Sequence, residues 1–426
     1  MISSLKLTKK IKTENFFRIG VFTLASAPLV SSIFFLISVI FENNENKNFF
    51  KESWNILLIA TSLLMVIGLI FLNISPNSPI KIYEWDKNLS IIGLFNWIPF
   101  FWFFWKFQNF LKSKNQRRIC SILFIAGTFP VLLSGFGQFW FGWEGPLELF
   151  NGLIIWYQRP LEGISGLTGL FNNPNYTGAW LSFIIPFTIA AFQEHKKSLL
   201  VKILSLFIFI LVFVALILTY SRSAWLCCLF SLAFHIANFK FIKNLKVILS
   251  IIFTCFAIFF LFKDNFFDLI QNILPERILS EIDQNSYKNL DLTRIDIWSQ
   301  ALKFISERPL FGWGSGYFPL ILKKTTGIWK GHPHNLLLEI FFNYGIIVGT
   351  LLFSFVIALI VRSFDRIFIK NFSNSFEKAW LISCFVLLLS QLVDQQYLDI
   401  RISLSLWILL SGLKNIIEDK KYNRIE

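Results

Sequence analysis

Residues 199–219 read LLVKILSLFIFILVFVALILT, an apolar run in which Lys202 is the single charged residue. A helix rises about 1.5 Å per residue, so a run of this length can cross the ~30 Å hydrocarbon core of a bilayer. The pattern predicts an all-α fold: a polytopic transmembrane helical bundle forming a single integral membrane domain, 1–426. Comparable runs occur near 54–74, 89–110, 119–141, 177–193, 222–238, 246–263, 335–361, 378–396 and 399–417.

The composition supports the same fold class. Hydrophobic residues make up 55% of the chain and charged residues 15%, whereas soluble domains carry about 25% charged residues. The formal net charge of +14 would suggest a nucleic-acid partner in a soluble protein. Here the excess bases lie in short connectors such as 106–118 and 240–246. This positive-inside pattern argues against nucleic acid and for the lipid bilayer as partner.

The largest polar segment, 264–334, is electrically balanced. Its eight acidic and eight basic side chains sum to zero, which fits a loop outside the cytoplasm. Placing the basic connectors inside puts 142–176 and 264–334 outside. Both termini are then cytoplasmic if 17–41, which contains Pro28 near its middle, is a hairpin of two short helices. The alternative is a single span; the hairpin gives about twelve helical segments, with short amphipathic helices in the large loop.

The five cysteines lie within or beside apolar runs, in a pattern that predicts neither a disulfide nor a zinc site. They are expected to pack as small apolar residues. The basic N-terminus lacks the small-residue cleavage site of a secretory signal peptide. No cofactor is predicted. The cysteines are Cys120, Cys227, Cys228, Cys255 and Cys384.

Two polar segments lie at the predicted outer boundary before the large loop. In TYSRSAW, 219–225, Arg222 occupies a tight corner between two spans. It either reaches lipid headgroups or holds a phosphate through paired hydrogen bonds. In GLTGLFNNPNY, 166–176, Asn175 is a candidate N-cap, and helix N-termini attract anions. A turn and a cap need no function, so the second signal is weak alone.

The third polar segment is the end of the large loop. Apolar residues at helical spacing after Arg294 predict an amphipathic helix on the membrane surface. The stretch RPLFGWGSG, 308–316, follows, and HPHN, 332–335, immediately precedes the next predicted span. Two histidines two positions apart suggest a metal, but no cysteine or third histidine is near, so no metal is predicted. His334 beside arginines suits general-base chemistry better.

Together these motifs resemble the O-antigen ligase/polymerase superfamily of membrane glycosyltransferases. The resemblance rests on Asn-Pro-Asn, Ser221-Arg222-Ser223, Arg294 before Ile-x-x-Trp, the Arg308 stretch and His334-Asn335, and it covers 120–361. Gly345 follows at the expected distance. Val348 stands where the family has a small residue or tyrosine, and Gly349 comes next.

The resemblance implies transfer of a polyprenyl-diphosphate-linked glycan at the outer face of the inner membrane. The acceptor would be lipid A-core, another glycan or a protein, and the large loop would be periplasmic. Arg222 and Arg294 match arginines that bind the donor diphosphate, and His334 matches the base that activates the acceptor hydroxyl, without a metal. Candidate substrate-binding residues are Asn335, Asn175, Ser221, Arg308 and Tyr317.

Alternative functions stay open on the sequence. The family contains both ligases and polymerases. Cyanobacterial inorganic-carbon (bicarbonate) transporter-like proteins share the Asn-Pro-Asn and Ser-Arg segments. A transporter is expected to carry ionisable residues near the bilayer midplane and often an internal repeat. Here the polar residues gather at one face, which favours surface chemistry over transport.

Overall fold

The computed structural model describes residues 2–42, 49–74, 87–161, 165–194, 198–236, 292–370 and 374–419. The predicted span 246–263 and the first part of loop 264–334 lie outside them. The described chain is helical apart from connecting loops and one antiparallel hairpin, β1 (Leu147–Leu149) and β2 (Ile154–Trp156). The helices are α1 (Ile2–Thr23), α2 (Pro28–Phe41), α3 (Ser53–Ile74), α4 (Lys87–Phe95), α5 (Ile98–Phe107), α6 (Lys114–Gly127), α7 (Phe129–Phe141), α8 (Pro174–Phe192), α9 (Leu199–Leu218), α10 (Arg222–Ile236), α11 (Arg294–Glu307), α12 (Phe318–Thr326), α13 (Leu336–Tyr344), α14 (Ile346–Phe364), α15 (Ser375–Ser390) and α16 (Ile400–Glu418).

Six helical segments of the described chain have the length and apolar composition needed to cross a membrane. Their outward surfaces are apolar, as lipid contact requires. The prediction of a helical membrane protein is confirmed, while the total of twelve segments stays a prediction. The six are Ser53–Ile74, Asn88–Phe110, Lys114–Phe141, Leu199–Leu218, Ile346–Ile369 and Ile400–Glu418.

The apolar run 17–41 lies in a helical hairpin, which confirms the predicted hairpin and not the alternative of a single span. Helix α1 ends at Thr23, and α2 begins at Pro28, which occupies the first helical turn where its missing N–H is harmless. The two helices pack antiparallel. The Ser31 hydroxyl donates to the Gly20 carbonyl at 2.7 Å, and the Phe17 and Phe35 rings are 5.5 Å apart.

The prediction of one continuous span over 335–361 is wrong. The chain breaks at Gly345, so that α13 and α14 are separate helices. Gly345 has φ +88°, and a Cβ there would lie 2.0 Å from the Leu310 carbonyl oxygen. The break therefore depends on a glycine that accepts both the left-handed backbone and the close approach of the 308–316 segment.

Helices α8, α15 and α16 form the buried centre of the bundle. Trp180, Trp380 and Trp407 are fully buried, and each indole N–H donates a hydrogen bond within the bundle. The acceptors are the Thr128 hydroxyl, the Leu409 carbonyl and the Tyr397 hydroxyl, at 3.0, 2.8 and 2.8 Å respectively. Satisfying these donors allows large aromatic side chains to fill the core.

Helices α8 and α15 pack against each other in antiparallel orientation. Asn175 at the start of α8 contacts Asp394, which follows α15. Beyond the other end of α8, Glu194 pairs with Arg118 of α6, whose neighbour Arg117 pairs with Glu377 at the start of α15. We call these two ends of the bundle the Asn175 end and the Glu194 end.

Candidate functional site

Helix α11 places Arg294 in its first turn, as predicted. Thr293 is the N-cap: its hydroxyl accepts a hydrogen bond from the Asp296 backbone N–H, and the Asp296 carboxylate accepts one from the Thr293 N–H. This reciprocal pair is a capping box, and it fixes where the helix begins. The Arg294 side chain is exposed. The opposite face of α11 is buried through Ile297, Ala301 and Phe304.

The glycine-rich segment 308–316 packs against the end of α13. The Trp313 N–H donates to the Phe342 carbonyl at 2.8 Å, and the Trp313 indole N–H donates to the Phe304 carbonyl at 2.7 Å. The Arg308 guanidinium lies 4.7 Å from the centre of the Trp313 ring, within cation–π range. Tyr317 is fully buried in the same cluster, so this cluster holds the loop together.

His334 adopts an unusual backbone conformation, with φ +53°. The left-handed region is uncommon for residues other than glycine, although histidine adopts it more often than most, and it costs about 1–2 kcal/mol. Its backbone N–H donates to Nδ1 of His332 at 3.2 Å. Its own Nδ1 lies 2.8 Å from Oδ1 of Asp394. The side chain keeps 28% of its surface exposed, against 5% for Asp394.

Asn335 holds His334 in place. It is the N-cap of α13, where its Oδ1 accepts from the backbone N–H groups of Leu337 and Leu338. Its Nδ2 donates to the Leu392 carbonyl at 2.9 Å. The Leu336 N–H donates to the Gln391 carbonyl. These bonds join the start of α13 to the segment after α15, so His334 is held beside Asp394.

Asp394 is the main site residue that the sequence reasoning missed. Besides the His334 bond, its Oδ2 accepts from Asn175 Nδ2 at 2.8 Å, and its Oδ1 accepts from the Gln395 N–H at 2.9 Å. The available signal was the polar run Asp394-Gln395-Gln396 at the end of an apolar stretch. Ionisable residues are rare at such positions and mark functional candidates.

The carboxyl of Asp394 is held in its charged form. Burial alone would raise its pKa, but the hydrogen bond with His334 and the nearby charge of Arg294 oppose burial, and the pKa lies below its usual range. Arg294 therefore acts on Asp394 electrostatically. A carboxylate bonded to a histidine ring nitrogen fixes the orientation and the tautomer of that ring.

Asn175 was predicted as the N-cap of its helix, and this was wrong. The N-cap of α8 is Asn173, whose side chain accepts from the Asn175 N–H at 2.8 Å. A cap two residues earlier releases the Asn175 side chain to bind Asp394. Asn175 therefore stays a candidate site residue, and its side chain binds Asp394 instead of capping the helix.

The Ser221–Arg222 corner packs on α8 one turn beyond Asn175. A Cβ on Gly178 would lie 2.8 Å from the Ala224 Cβ and 3.1 Å from the Ser221 Cβ, so the glycine permits this approach. Ser221 is buried, and its hydroxyl lies 3.1 Å from that of Ser223. Arg222 begins α10 with an exposed side chain. The structure thus brings this corner to the Asn175 end.

A second carboxyl near the site was also missed. Glu339 lies in the first turn of α13, with its carboxyl turned inward, where it accepts from Asn343 Nδ2 at 2.7 Å. Burial raises the pKa of Glu339 to about 7, although hydrogen bonds from Asn343 and Gln395 oppose the rise. Glu339 thus exchanges its proton near neutral pH.

His332 completes a group of possible metal ligands. One ligand atom each from His332, His334 and Asp394 lies within 4.8 Å of the other two. Burial and the neighbouring His334 lower the pKa of His332 to about 4, so its ring is neutral at physiological pH. The sequence argument against a metal relied on the lack of a third ligand near the histidines. Asp394 supplies one from 60 residues away.

The site therefore defines a helical membrane protein with a partly exposed His–Asp pair and arginines at one end of its bundle. Residues 207–354 match the family model described as O-antigen ligase. The chain is also 24% identical over 214 residues to the ComP-specific O-oligosaccharyltransferase of Acinetobacter baylyi, an alignment covering 48% of this chain and 36% of that protein. Together these matches confirm the resemblance to the O-antigen ligase superfamily.

The family match contains Arg222, Arg294 and His334 but neither Asn175 nor Asp394. The aligned part also spans little more than a third of the length of the relative. What the relative does as a whole protein is therefore a proposal for this chain.

Proposed function

We propose that the protein transfers a glycan from a polyprenyl diphosphate to an acceptor hydroxyl, at the outer face of the inner membrane. The observation that carries the proposal is the His334–Asp394 pair, 2.8 Å between Nδ1 and Oδ1, with Arg294 close enough to act on it. In the proposed membrane topology, the Asn175 end faces the periplasm. Both termini and the Glu194 end face the cytoplasm.

His334 is the general base of the proposed reaction. Asp394 accepts the Nδ1–H of the ring, which leaves the Nε2 lone pair free to take a proton, by the logic of a Ser-His-Asp triad. The acceptor oxygen bonds to the anomeric carbon while its proton moves to Nε2. The bond from that carbon to the diphosphate breaks, and polyprenyl diphosphate leaves. Attack opposite the leaving group inverts the anomeric configuration.

Arg294 and Arg222 stabilise the leaving diphosphate. Both side chains are exposed at the Asn175 end, where guanidinium groups can make paired bonds to phosphate oxygens. Donors placed where negative charge develops typically contribute about 10²–10³ to the rate. Such stabilisation needs no metal. Asn175 and Asn335 position Asp394 and His334, and Ser221 sets the Arg222 corner on α8.

An apolar cavity beside the site suits the prenyl chain. It has a volume of about 190 Å³ and lies among α13, α14, α15 and α16. Its wall includes Leu336, directly after Asn335, and Leu392, two residues before Asp394. The cavity thus begins next to the His–Asp pair and continues into the bundle. A hydrocarbon chain would enter it without leaving an apolar environment.

The test uses the full chain, purified and reconstituted in liposomes with a synthetic polyprenyl-diphosphate glycan. We expect release of polyprenyl diphosphate that depends on an acceptor hydroxyl. Arg294→Ala should reduce transfer by about 10²–10³, whereas Lys303→Ala, an exposed base on the same helix, should have little effect. Absence of transfer with lipid A-core, glycan and peptide acceptors alike would refute the proposal.

The acceptor class has its own test in cells. Deletion of a ligase leaves surface lipid A-core uncapped, deletion of a polymerase leaves single repeats, and deletion of a protein ligase removes glycan from a protein. Electrophoresis of envelope glycans and glycoproteins distinguishes the three. An unchanged pattern would contradict glycosyl transfer.

A further inference from the structure

Two histidines and an aspartate converge at the exposed edge of the candidate site. His332 and His334 are separated by one proline in the sequence, and their rings are 4.4 Å apart. Asp394 reaches them from the segment between α15 and α16. One ligand atom from each lies within 4.8 Å of the other two. This arrangement joins two parts of the chain that contact each other only in the folded protein.

The spacing is close to that of a zinc site. Zinc binds histidine nitrogen and carboxylate oxygen at about 2.0–2.2 Å, so neighbouring ligands of a tetrahedral ion lie about 3.4 Å apart. The His334–Asp394 pair, at 2.8 Å, would open slightly. A rotation of the His332 ring would close the remaining distance. Two imidazoles and one carboxylate favour zinc over magnesium or calcium, which prefer oxygen ligands.

The surroundings support the ligands as in known metal sites. Asp394 accepts hydrogen bonds from Asn175 Nδ2 and from the Gln395 N–H, which orient its carboxylate independently of either histidine. Asn335 fixes the start of α13 directly after His334. Such outer contacts typically change metal affinity by about 10–100-fold. The partly exposed edge at His334 gives an ion a path from solvent.

We propose that His332, His334 and Asp394 bind Zn²⁺ with a fourth position open to water, and that the bound ion blocks glycosyl transfer. With zinc on Nδ1 of His334, the neutral imidazole must carry its proton on Nε2. That nitrogen can then no longer accept the proton of an acceptor hydroxyl. The ion also replaces the hydrogen bond between His334 and Asp394. The blocking effect rests on the proposed function, whereas zinc binding does not.

The binding test uses the full chain, purified in detergent and stripped with a chelator. Titration with Zn²⁺ against a chromophoric competitor should give one tight site per chain. His332→Asn should weaken that site at least about tenfold, since asparagine is a poor zinc ligand. An asparagine amide oxygen can still accept the His334 N–H, as Nδ1 of His332 does. His235→Asn, at the far end of α10, is the matched control and should bind zinc as the unaltered chain does.

Two results would overturn the metal site: a stripped protein that takes up no zinc, or equal affinity in the unaltered chain and His332→Asn. Millimolar Mg²⁺ should not displace the zinc, and displacement would contradict the assigned metal class.

The inhibition test adds zinc to the reconstituted transfer reaction. Zinc should stop transfer by the unaltered chain, and chelator should restore it. His332→Asn should transfer normally in chelator but need at least about tenfold more zinc for the same inhibition. Transfer that continues with the site occupied would refute the blocking role. A chain that binds one zinc but never transfers would refute the proposed function and leave the metal site intact.

Discussion

A paired carboxylate lies near each end of helix α15, Glu377 within the helix and Asp394 just beyond it, and the two pairs are built differently. At the Glu194 end, Glu377 pairs with Arg117, and both side chains are at most 2% exposed. Beyond the other end, Asp394 pairs with His334, which is 28% exposed. Arg117 also donates to the Leu111 and Lys112 carbonyls. Both members of the first pair are buried, with the exposed Lys114 amine 3.6 Å from Glu377, whereas the second pair keeps part of the His334 ring open to solvent.

The comparison separates a pair that is closed to a substrate from a pair that a substrate could reach. Two charges sealed inside a bundle hold its helices in register, but they offer nothing to a substrate. A buried pair is costly to break because the remaining partner stays charged without compensation. A half-exposed histidine held by a buried aspartate can meet an incoming hydroxyl. The difference lies in access, since both pairs consist of one acid and one base.

The largest effect is expected at the open pair. His334→Gln should reduce transfer by about 10²–10⁴, the usual contribution of general acid–base catalysis. The reconstituted donor-release assay measures it. The thermal midpoint should change little, because the altered side chain is partly exposed. If His334→Gln instead destabilises the fold and transfers normally per folded molecule, the His334–Asp394 pair serves stability and not transfer.

The enclosed pair should show the opposite behaviour. Glu377→Gln leaves Arg117 buried with its main anionic partner removed, and it should destabilise the fold by about 3–5 kcal/mol. Denaturant unfolding in mild detergent measures this. Transfer per folded molecule should stay near that of the unaltered chain. Arg117→Leu combined with Glu377→Leu should recover part of the stability, and if the double change is worse than Glu377→Gln alone, the pair is not simply structural.

The smallest effect concerns Glu339, a carboxyl without a paired cation in its described contacts. Its pKa is about 7 in the fold against a usual 4.5. Between these values the folded protein binds the proton and the unfolded chain has lost it, so stability falls as pH rises from about 4.5 to 7. The Glu339→Gln variant should not lose stability over this pH range, because glutamine does not titrate. Its thermal midpoint should rise relative to the unaltered chain from pH 5 to pH 8.

The control for Glu339 is Glu307→Gln, which removes an exposed carboxyl at the end of α11. Its thermal midpoint should follow that of the unaltered chain at every pH. If Glu307→Gln and Glu339→Gln respond alike, burial of Glu339 is not the cause.

The sequence predicted features that depend on local contacts. The apolar runs predicted the six membrane-spanning segments of the described chain, Pro28 predicted the hairpin, and apolar spacing predicted the helix that begins at Arg294. The break at Gly345 was missed because the apolar pattern continues through it. Only a glycine fits there, because a Cβ would clash with the Leu310 carbonyl of a neighbouring segment.

The site itself could be predicted only in part. His334 and the arginines carried recognisable motifs, but Asp394 joins His334 across 60 residues and Asn175 across 219. The spacing of residues within a short motif cannot predict contacts between such distant parts of the chain. Tyr317 shows the converse: the resemblance made it a candidate substrate-binding residue, and the structure buries it in the loop cluster.

The position of Asp394 between α15 and α16 has a consequence for biosynthesis. Chains emerge from the ribosome N-terminus first, so His334 and both arginines enter the membrane before their aspartate partner exists. Until α15 has been inserted and has packed along α8, His334 lacks the bond that orients its ring. On the proposed mechanism, a nascent chain stalled before this point would carry both arginines but no oriented base.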